Sequence, residues 1–250
     1  MPERKGVYFV SDVHLGLDVR DPAAREARFV SLLRGIPRDT TLALYLLGDI
    51  WDFWYEYRDV VPKGYVRVFA ELLDLMDAGV KVYFFPGNHD IWCYSYFSSL
   101  GITVVREQPQ LVEIGGKVFC IGHGDGLGPG QHGYKFMNAV FKCRLLQWLF
   151  STLHPWIAFR LGLGWSRHSR LARNEKHTFQ GESEPLYRWA LDFSSVQHVD
   201  CFIFGHLHSP AELTLPTGAR LVILDDWMEG GQYWYFSGIL VGVGHSMNTE

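Results

Sequence analysis

The amino-acid sequence predicts an α/β fold, and three observations carry that prediction. Short, continuous apolar runs recur along the chain, as in strands that are buried on both faces of a sheet. Segments with apolar residues at helical spacing separate the first of these runs, and strand–helix alternation is typical of layered α/β proteins. The 250 residues are 48% apolar and 20% charged. This composition is typical of a packed globular protein and excludes a chain that is mainly disordered.

The individual elements follow from these patterns in chain order. The predicted strands cover residues 7–10, 42–47, 80–85, 118–121 and 201–204, and the predicted helices cover residues 22–33 and 65–76. Two hairpins are expected where glycine permits a tight turn. They join 111–114 to 117–120 through Gly115 and Gly116, and 212–215 to 220–223 through residues 216–218. An aromatic strand over 233–240 is expected to close the chain.

Residues 126–173 differ from the rest of the chain in charge and in pattern. They hold seven Lys or Arg and no acidic residue, so the remainder carries a formal charge of −11 against a total of −4. After a glycine-rich loop, an apolar helix is predicted over 136–150, followed by an apolar stretch (156–165) and a basic run (166–173). We expect residues 128–173 to form a helical cap inserted into a core made of residues 1–127 and 174–250.

Polar motifs follow the five predicted strands. They are D-V-H at 12–14, G-D-I-W-D at 48–52, G-N-H-D at 87–90, G-H-G-D at 122–125 and G-H-L-H at 205–208. Ligand sites in α/β sheets form beyond the carboxyl ends of the strands, so we expect these motifs to meet in one site. In extended backbone, residues two apart point the same way. Asp12 with His14, and His206 with His208, are therefore each expected to aim two side chains at one place.

The polar motifs contain the side chains that a pair of metal ions requires. The candidate ligands are Asp12, His14, Asp49, Asn88, His123, His206 and His208. Carboxylate, imidazole and amide groups suit Mn²⁺, Fe²⁺ or Zn²⁺. Seven ligands are too many for one ion, but they fit two ions that share a carboxylate, and two ions about 3.5–4 Å apart promote in-line displacement at phosphorus. Three further carboxylates, Asp52, Asp90 and Asp125, are interpreted as groups that orient loops or histidines.

The five motifs, in this order, resemble the calcineurin-like metallophosphoesterase family, whose pattern is D-x-H, G-D-x-x-D, G-N-H-[DE], G-H and G-H-x-H. The resemblance implies a four-layer α/β/β/α sandwich and two divalent metal ions, with Mn²⁺ as the expected metal. It implies that one ion is held by Asp12, His14, Asp49 and His208, and the other by Asp49, Asn88, His123 and His206. His89 would contact the phosphate or protonate the leaving group, so Asp49 and His89 are the predicted catalytic residues.

Within this family, the chain is most similar to the branch that hydrolyses UDP-2,3-diacylglucosamine in lipid A synthesis. The shared features are S-D-V-H-L-G at 11–16, H-G-D at 123–125, G-H-L-H-S-P at 205–210 and a cap of about this size. The resemblance implies attack at the α-phosphate, giving UMP and 2,3-diacylglucosamine 1-phosphate. It implies substrate-binding roles for Asn88, His89, Ser166, Arg170, Arg173 and His206. Branch members read G-N-R-D where this chain has His89, and an imidazole in that place predicts a stronger pH dependence near neutrality.

The composition of the insertion favours a substrate with an anionic head and acyl chains. Among the 30 residues from 136 to 165, 19 are apolar. Lys and Arg would meet phosphates, and an apolar groove would hold hydrocarbon at about 0.8 kcal/mol per buried CH₂. The acyl chains are predicted to contact Phe141, Leu145, Trp148 and Leu149. We expect the same surface to rest on an anionic inner membrane from the cytoplasm, because neither a signal-peptide core nor a membrane-spanning run is visible.

Other functions remain open at this stage. The main alternative is a dinuclear phosphoesterase of another specificity, such as a nucleotide or phosphoprotein phosphatase with a helical lid. A scaffold without activity would lack some of the ligands, and the ligand set here has no gap. A net charge of −4 argues against a duplex-DNA binder. The acidic remainder of the chain disfavours a nuclease, so no nucleic acid is expected as a partner.

Overall fold

The computed structural model describes residues 4–172 and 177–244, except the side chains of residues 168–172. The strands are β1 (Gly6–Val10), β2 (Thr41–Leu46), β3 (Lys81–Phe84), β4 (Thr103–Val104), β5 (Gln110–Ile114), β6 (Lys117–Gly122), β7 (Cys201–Phe204), β8 (Ala211–Thr214), β9 (Arg220–Ile223), β10 (Gln232–Phe236) and β11 (Leu240–Gly244). The helices are α1 (Pro22–Gly35), α2 (Val66–Asp77), α3 (Tyr96–Ser99), α4 (His132–Lys142), α5 (Arg144–Ser151), α6 (Pro155–Ala172) and α7 (Pro185–Val196).

Two sheets pack face to face between two layers of helices. One sheet has the order β11-β10-β1-β2-β3-β4 and the other β5-β6-β7-β9-β8. Apolar side chains of both sheets meet in one core, in which the rings of Phe9 and Phe119 lie 5.9 Å apart. Helices α1 and α2 cover the outer face of the first sheet through a second core, and α7 covers the second sheet through a third. The predicted four-layer α/β/β/α sandwich is thus confirmed.

Most predicted elements of this sandwich are present close to their expected bounds. The five apolar runs form β1, β2, β3, β6 and β7, the two early helices form α1 and α2, and both hairpins form as β5–β6 and β8–β9. The predicted single strand over 233–240 is wrong. It is divided into β10 and β11 by a turn in which Gly238 has a φ of 93°, a backbone conformation that glycine adopts at little cost.

The cap helices lie between β6 and α7 in the chain. The predicted continuous helix over 136–150 is wrong, because Cys143 adopts extended backbone (φ −68°, ψ 112°) and separates α4 from α5. The apolar stretch and the basic run, as far as Ala172, form one helix, α6. The division into a core (1–127 and 174–250) and a cap (128–173) stays a prediction, and its second boundary lies outside the described residues. In the described ranges, no helix combines the length and the apolarity that crossing a bilayer requires.

Candidate metal centre

The candidate site lies where the loops after β1, β2, β3, β6 and β7 meet. Backbone hydrogen bonds join these loops directly. Asp12 N donates to Gly48 O at 3.0 Å, and His14 N donates to Asp49 O at 2.9 Å. Within the second sheet, Gly205 N donates to His123 O at 3.0 Å, and between the sheets, His206 N donates to Asp12 Oδ2 at 3.0 Å. Because the carboxyl ends of both parallel sets open at this edge, all five predicted motifs contribute to one site.

Four side chains form the first cluster: Asp12, His14, Asp49 and His208 each offer a ligand atom, and these atoms lie within 4.8 Å of one another. The Oδ1 atom of Asp12 lies 3.5 Å from Nε2 of His208 and 3.7 Å from Nε2 of His14. Nε2 of His14 lies 3.9 Å from Oδ2 of Asp49. This is the group that the resemblance implies for one ion.

The second cluster shares Asp49 with the first. Ligand atoms of Asp49, His123 and His206 also lie within 4.8 Å of one another, and Nε2 of His123 is 3.3 Å from Oδ2 of Asp49. Asn88 joins this group, because its Oδ1 lies 3.3 Å from Nε2 of His123. All seven predicted ligands therefore belong to one of two clusters that have Asp49 in common.

A pair of divalent ions fits this donor set. The Oδ1 atom of Asp12 is buried and makes no hydrogen bond within the described part of the chain. A buried carboxylate oxygen without a donor is costly unless a cation neutralises it. Oxygen and imidazole nitrogen without thiolate are the donors that Mn²⁺, Fe²⁺ and Zn²⁺ accept.

Each of three histidines is oriented by a hydrogen bond at its other ring nitrogen. Nδ1 of His14 lies 3.2 Å from Asp52 Oδ1, and Nδ1 of His208 lies 3.1 Å from Asp226 Oδ2. Nδ1 of His123 lies 2.9 Å from the carbonyl oxygen of Leu47. Because a carbonyl or carboxylate oxygen accepts, Nδ1 carries the hydrogen and Nε2 is left as the ligand atom.

Asp226 is a site residue that the sequence reasoning missed. It follows β9 and lies against the cavity described below, but no polar motif marks it, and only its contact with His208 reveals its role. The acidic pair at 225–226, placed directly after an apolar run, was the available signal. Asp52 matches the interpretation made for it, because its carboxylate orients His14.

The carboxylate of Asp90 fixes the shape of two ligand loops at once. It accepts hydrogen bonds from the backbone N–H groups of Gly87 (2.7 Å), Ile50 (2.8 Å), Trp51 (3.2 Å) and Asp49 (3.3 Å). Burial and the charge of Asp49 raise the pKa of Asp90 to about 7. Its role as a loop-orienting group agrees with the prediction.

The cluster concentrates charge around Asp49. Burial opposes the charged form of Asp49, but the imidazoles of His123 and His89 hold the pKa of Asp49 well below its ordinary value. Burial likewise opposes protonation of His123, yet the Asp49 carboxylate raises the pKa of His123 well above the usual range. Burial and the nearby His123 lower the pKa of His206 to about 3. The metal-free chain therefore holds a proton on His123 that a metal ion would have to displace.

Left-handed backbone is concentrated at the candidate ligands. Seven non-glycine residues of the described chain have positive φ, and five of them are candidate ligands. They are Asp12, His14, Asp49, His206 and His208, with φ between 49° and 69°. The expectation of extended backbone at 12–14 and 206–208 is thus wrong. Asp12 and His14 still reach the same cluster, whereas His208 belongs to the first cluster and His206 to the second. Left-handed residues cost about 1–2 kcal/mol each and mark a backbone that neighbouring contacts hold in place.

Two glycines make room for the ligands. A Cβ atom at Gly87 would lie 2.2 Å from Asp49 Oδ1, and one at Gly205 would lie 2.2 Å from Asp12 Oδ2. No side chain fits at either place without moving a carboxylate of the site. Glycine at both positions therefore allows the backbone to approach the ligand carboxylates closely.

His89 lies beside both clusters and is not one of the seven candidate ligands, although one of its ring nitrogens lies within 4.8 Å of ligand atoms of His14 and Asp52. Its Nδ1 lies 2.8 Å from the carbonyl oxygen of Asp52, and its Nε2 lies 4.0 Å from Asp49 Oδ2. The backbone N–H of His89 also donates to Asp49 Oδ1 at 2.9 Å. Because the Asp52 carbonyl fixes the hydrogen on Nδ1, Nε2 is the ring atom that a substrate would meet.

The clusters open into a cavity of about 590 Å³ that is shared with the cap. Its polar walls include Asp49, Asn88, His89, His206 and His208. Its apolar walls include the cap residues Tyr134, Met137, Phe141, Phe150, Leu161 and Trp165, and also Leu17, Phe53 and Trp92 of the core. Polar groups from the core and aromatic or aliphatic groups from the cap thus face one space. A bound molecule would contact both kinds of wall.

The residues predicted to contact substrate fall in different places. Asn88, His89, His206 and Ser166 line the cavity, whereas the side chain of Arg170 and all of Arg173 lie outside the described residues. Of the predicted acyl-chain contacts, Phe141 lines the cavity, but Leu145, Trp148 and Leu149 are exposed and do not line it. The break at Cys143 separates Phe141, which lies in α4, from the other three residues, which lie in α5.

Comparison with known proteins gives one family and one recurring activity. A model of the family described as calcineurin-like phosphoesterase matches residues 6–210. A protein of Porphyromonas gingivalis named UDP-2,3-diacylglucosamine hydrolase is 34% identical, covering 94% of this chain and 95% of its own. A protein of the same name from Aeromonas salmonicida is 30% identical over 89% and 86%. Among solved structures, a dimetal phosphatase from Danio rerio shares the fold, with 16% identity, 96% coverage of both chains and a TM-score of 0.51.

Proposed function

The chain belongs to the calcineurin-like phosphoesterase family, and on that premise we propose that it hydrolyses the pyrophosphate of UDP-2,3-diacylglucosamine. Water attacks the α-phosphate, and the products are UMP and 2,3-diacylglucosamine 1-phosphate. The name shared by the Porphyromonas gingivalis and Aeromonas salmonicida relatives supports this substrate. Specificity for an acylated sugar nucleotide distinguishes the proposal from a general phosphatase of the same family.

The observation that carries the proposal is the mixed lining of the cavity. A phosphoesterase for small soluble esters needs the polar wall alone. Here Phe141, Phe150 and Leu161 of the cap face the same space as Asn88 and His89. A substrate that joins a pyrophosphate to acyl chains contacts both walls, and each buried CH₂ contributes about 0.8 kcal/mol.

The core residues have distinct roles in the proposed reaction. We assign one divalent ion to Asp12, His14, Asp49 and His208, and a second to Asp49, Asn88, His123 and His206, with Mn²⁺ as the proposed metal. When bound, such ions supply positive charge for the phosphoryl oxygens and make hydroxide available near neutral pH. Asp49 gives one carboxylate to both positions, so it fixes the separation of the two.

His89 acts on the phosphate itself. Its Nδ1 hydrogen is held by the Asp52 carbonyl, so the ring is oriented before substrate arrives. In the imidazolium form, in which Nε2 also carries a hydrogen, Nε2 donates a hydrogen bond to the charge that develops on the phosphoryl group or gives that proton to the leaving group. Asn88 and His206 line the same space and are proposed to touch the phosphates. Arg170 and Arg173 keep their proposed substrate roles.

We propose that the cap also holds the enzyme against an anionic inner membrane, from the cytoplasmic side. Three tryptophans of the cap, Trp148, Trp156 and Trp165, are 61–63% exposed. Arg160 lies over the ring of Trp156, with its guanidinium carbon 5.2 Å from the ring centroid. Exposed aromatic and basic side chains on neighbouring helices are typical of a surface that binds anionic lipid. A peripheral position would deliver the acylated substrate directly to the cavity.

The reaction can be tested by following the oxygen of water. The Mn²⁺-loaded enzyme is given UDP-2,3-diacylglucosamine in mixed micelles and H₂¹⁸O, and the products are analysed by mass spectrometry. The proposal predicts ¹⁸O in UMP and none in the acylated sugar phosphate. Label in the sugar phosphate would contradict attack at the α-phosphate. Turnover of soluble nucleotides with none of the acylated substrate would favour the alternative specificity.

A further inference from the structure

One hydrogen bond connects the cap to the metal-holding loops. The hydroxyl of Ser166, on α6, donates to Oδ1 of Asp52 at 2.8 Å. The same oxygen lies 3.2 Å from Nδ1 of His14. Ser166 and Asp52 are each only 1% exposed. Helix α6 begins more than thirty residues after the end of β6. It nevertheless contacts Asp52, the residue that orients the candidate ligand His14 in the loop after β1.

Small residues on one face of α6 make this contact possible. Ala158, Gly162 and Ser166 are spaced four residues apart, so they lie on one side of the helix. Ala158 is fully buried, and a Cβ atom at Gly162 would lie 2.3 Å from the ring of Phe53. The helix thus rests against residues 52–53 so closely that a larger side chain at 162 would move it away.

We infer that Ser166 is a positioning residue. It couples the packing of α6 against residues 52–53 to the orientation of the His14 ring as a metal ligand. The hydroxyl hydrogen fixes the rotation of the Asp52 carboxylate, and that carboxylate fixes the ring of His14. The backbone carbonyl of Asp52 also orients His89 at 2.8 Å. Loss of the hydroxyl leaves the carboxylate with one hydrogen-bond donor fewer, and the His14 ring is held less firmly.

The coupling works in both directions. If packing of α6 against residues 52–53 raises the affinity for metal, then metal binding must stabilise that packed position of the helix by the same free energy. Substrate that draws α6 against residues 52–53 would accordingly tighten the metal centre beneath it. This role is distinct from direct contact with substrate, and a hydroxyl in the cavity wall can serve both.

The inference rests on the proposed metal-holding role of His14, so the native chain is measured first. Mn²⁺ affinity is obtained by titration, with free Mn²⁺ followed by electron paramagnetic resonance. Hydrogen exchange of the amides of α6 is measured with and without Mn²⁺. The variants are Ser166→Ala, Ser166→Thr and, as a matched control, Ser195→Ala. The hydroxyl of Ser195 is exposed and donates to the carbonyl of Asp192 in its own helix.

The expected result is a loss of affinity confined to one Mn²⁺ site. Removing a direct partner of a metal-binding histidine costs about 10–100-fold, so we expect about 3–10-fold for Ser166→Ala, one bond further out. The Mn²⁺-dependent protection of α6 should fall with it. Ser166→Thr keeps the hydroxyl and should recover most of the affinity, and Ser195→Ala should match the native chain.

Two outcomes separate failure of this inference from failure of the proposed function. If the native chain binds no Mn²⁺, the proposed function fails. If the native chain binds two ions and Ser166→Ala binds them equally well, with equal protection of α6, only the coupling is overturned. Should Ser166→Ala not fold, Gly162→Ala tests the same link by lifting α6 from Phe53, with the same loss of affinity expected.

Discussion

The metal-holding loops and the outer surface of the cap are built in opposite ways. Asp12, His14, Asp49 and His123 are almost completely buried, and their orientation is set by hydrogen bonds to neighbouring loops. Helices α4 and α5, whose residues are all described, bury none of their side chains. The geometry of the loops is therefore fixed by contacts within the chain, whereas α4 and α5 expose apolar surface. Changes in the loops should act on every substrate, and changes in the outer cap only on acylated ones.

The largest expected effect comes from Asp49→Asn. An amide in place of the carboxylate shared by both clusters should weaken both metal positions and lower kcat about 10³-fold or more, since several kcal/mol of charge stabilisation are lost. The loss should be equal for acylated UDP-glucosamine in micelles and for its deacylated analogue. Asp59→Asn, at an exposed aspartate, is the control. Retention of both ions and of activity would contradict the shared role of Asp49.

The next effect is expected for His89→Ala. Without the imidazole, kcat should fall about 10²-fold for both substrates, because a hydrogen-bond donor to the phosphoryl group is removed. Mn²⁺ affinity should stay near that of the native chain, since His89 is outside the ligand set. His89→Arg should keep part of the activity, since a guanidinium also donates hydrogen bonds to phosphoryl oxygens. Native turnover by His89→Ala would exclude the role proposed here.

The affinity of the metal-holding loops for Mn²⁺ should depend on pH. Because the pKa of His123 is raised in the metal-free chain, the imidazole binds a proton that Mn²⁺ must displace. Mn²⁺ affinity should therefore rise with pH, by up to about tenfold per unit for each proton released, until pH exceeds the pKa of His123. Calorimetry in buffers of different ionisation enthalpy counts the protons. Affinity independent of pH would show that His123 is already neutral.

The smallest expected effect is on membrane binding, after substitution of exposed tryptophans of the cap. Replacing both Trp148 and Trp156 by Ser should weaken binding to anionic vesicles about fivefold, which corresponds to about 1 kcal/mol of lost apolar burial. Hydrolysis of the deacylated analogue should not change. Val196→Ser, at an apolar residue of α7 that is 85% exposed, controls for general loss of surface hydrophobicity. A fall in both activities would mean that the outer cap supports the site itself.

The elements of the core can be predicted from the sequence because each one is marked by a short pattern of neighbouring residues. Apolar runs identify β1, β2, β3, β6 and β7, and each ligand follows one of these strands. Because the carboxyl ends of the strands lie at one edge, the ligands meet there. The cap is harder to predict, because an apolar helix at a lipid surface and one in a core have the same pattern. The break at Cys143 carries neither proline nor glycine that would have marked it.

Contacts between distant segments account for what the sequence does not reveal. Asp226 is one acidic residue among many until β9 brings it to His208. In the sequence, Ser166 is the first residue of a basic run, and the packing of α6 against residues 52–53 is what connects it with Asp52. The left-handed backbone at 12–14 likewise depends on bonds to the loop after β2. Such features follow from tertiary structure, and spacing along the chain does not encode them.

The left-handed backbone at the candidate ligands has a consequence for how proteins of this fold are expected to evolve. At Asp12, His14, Asp49, His206 and His208, glycine would suit the backbone better than the residue present. Each such exchange would relieve about 1 kcal/mol of strain and remove a ligand. A lineage freed from selection for catalysis is therefore expected to drift toward glycine at these positions and to gain stability as it does. Glycine in these five places would be a recognisable trace of an enzyme that has become a scaffold.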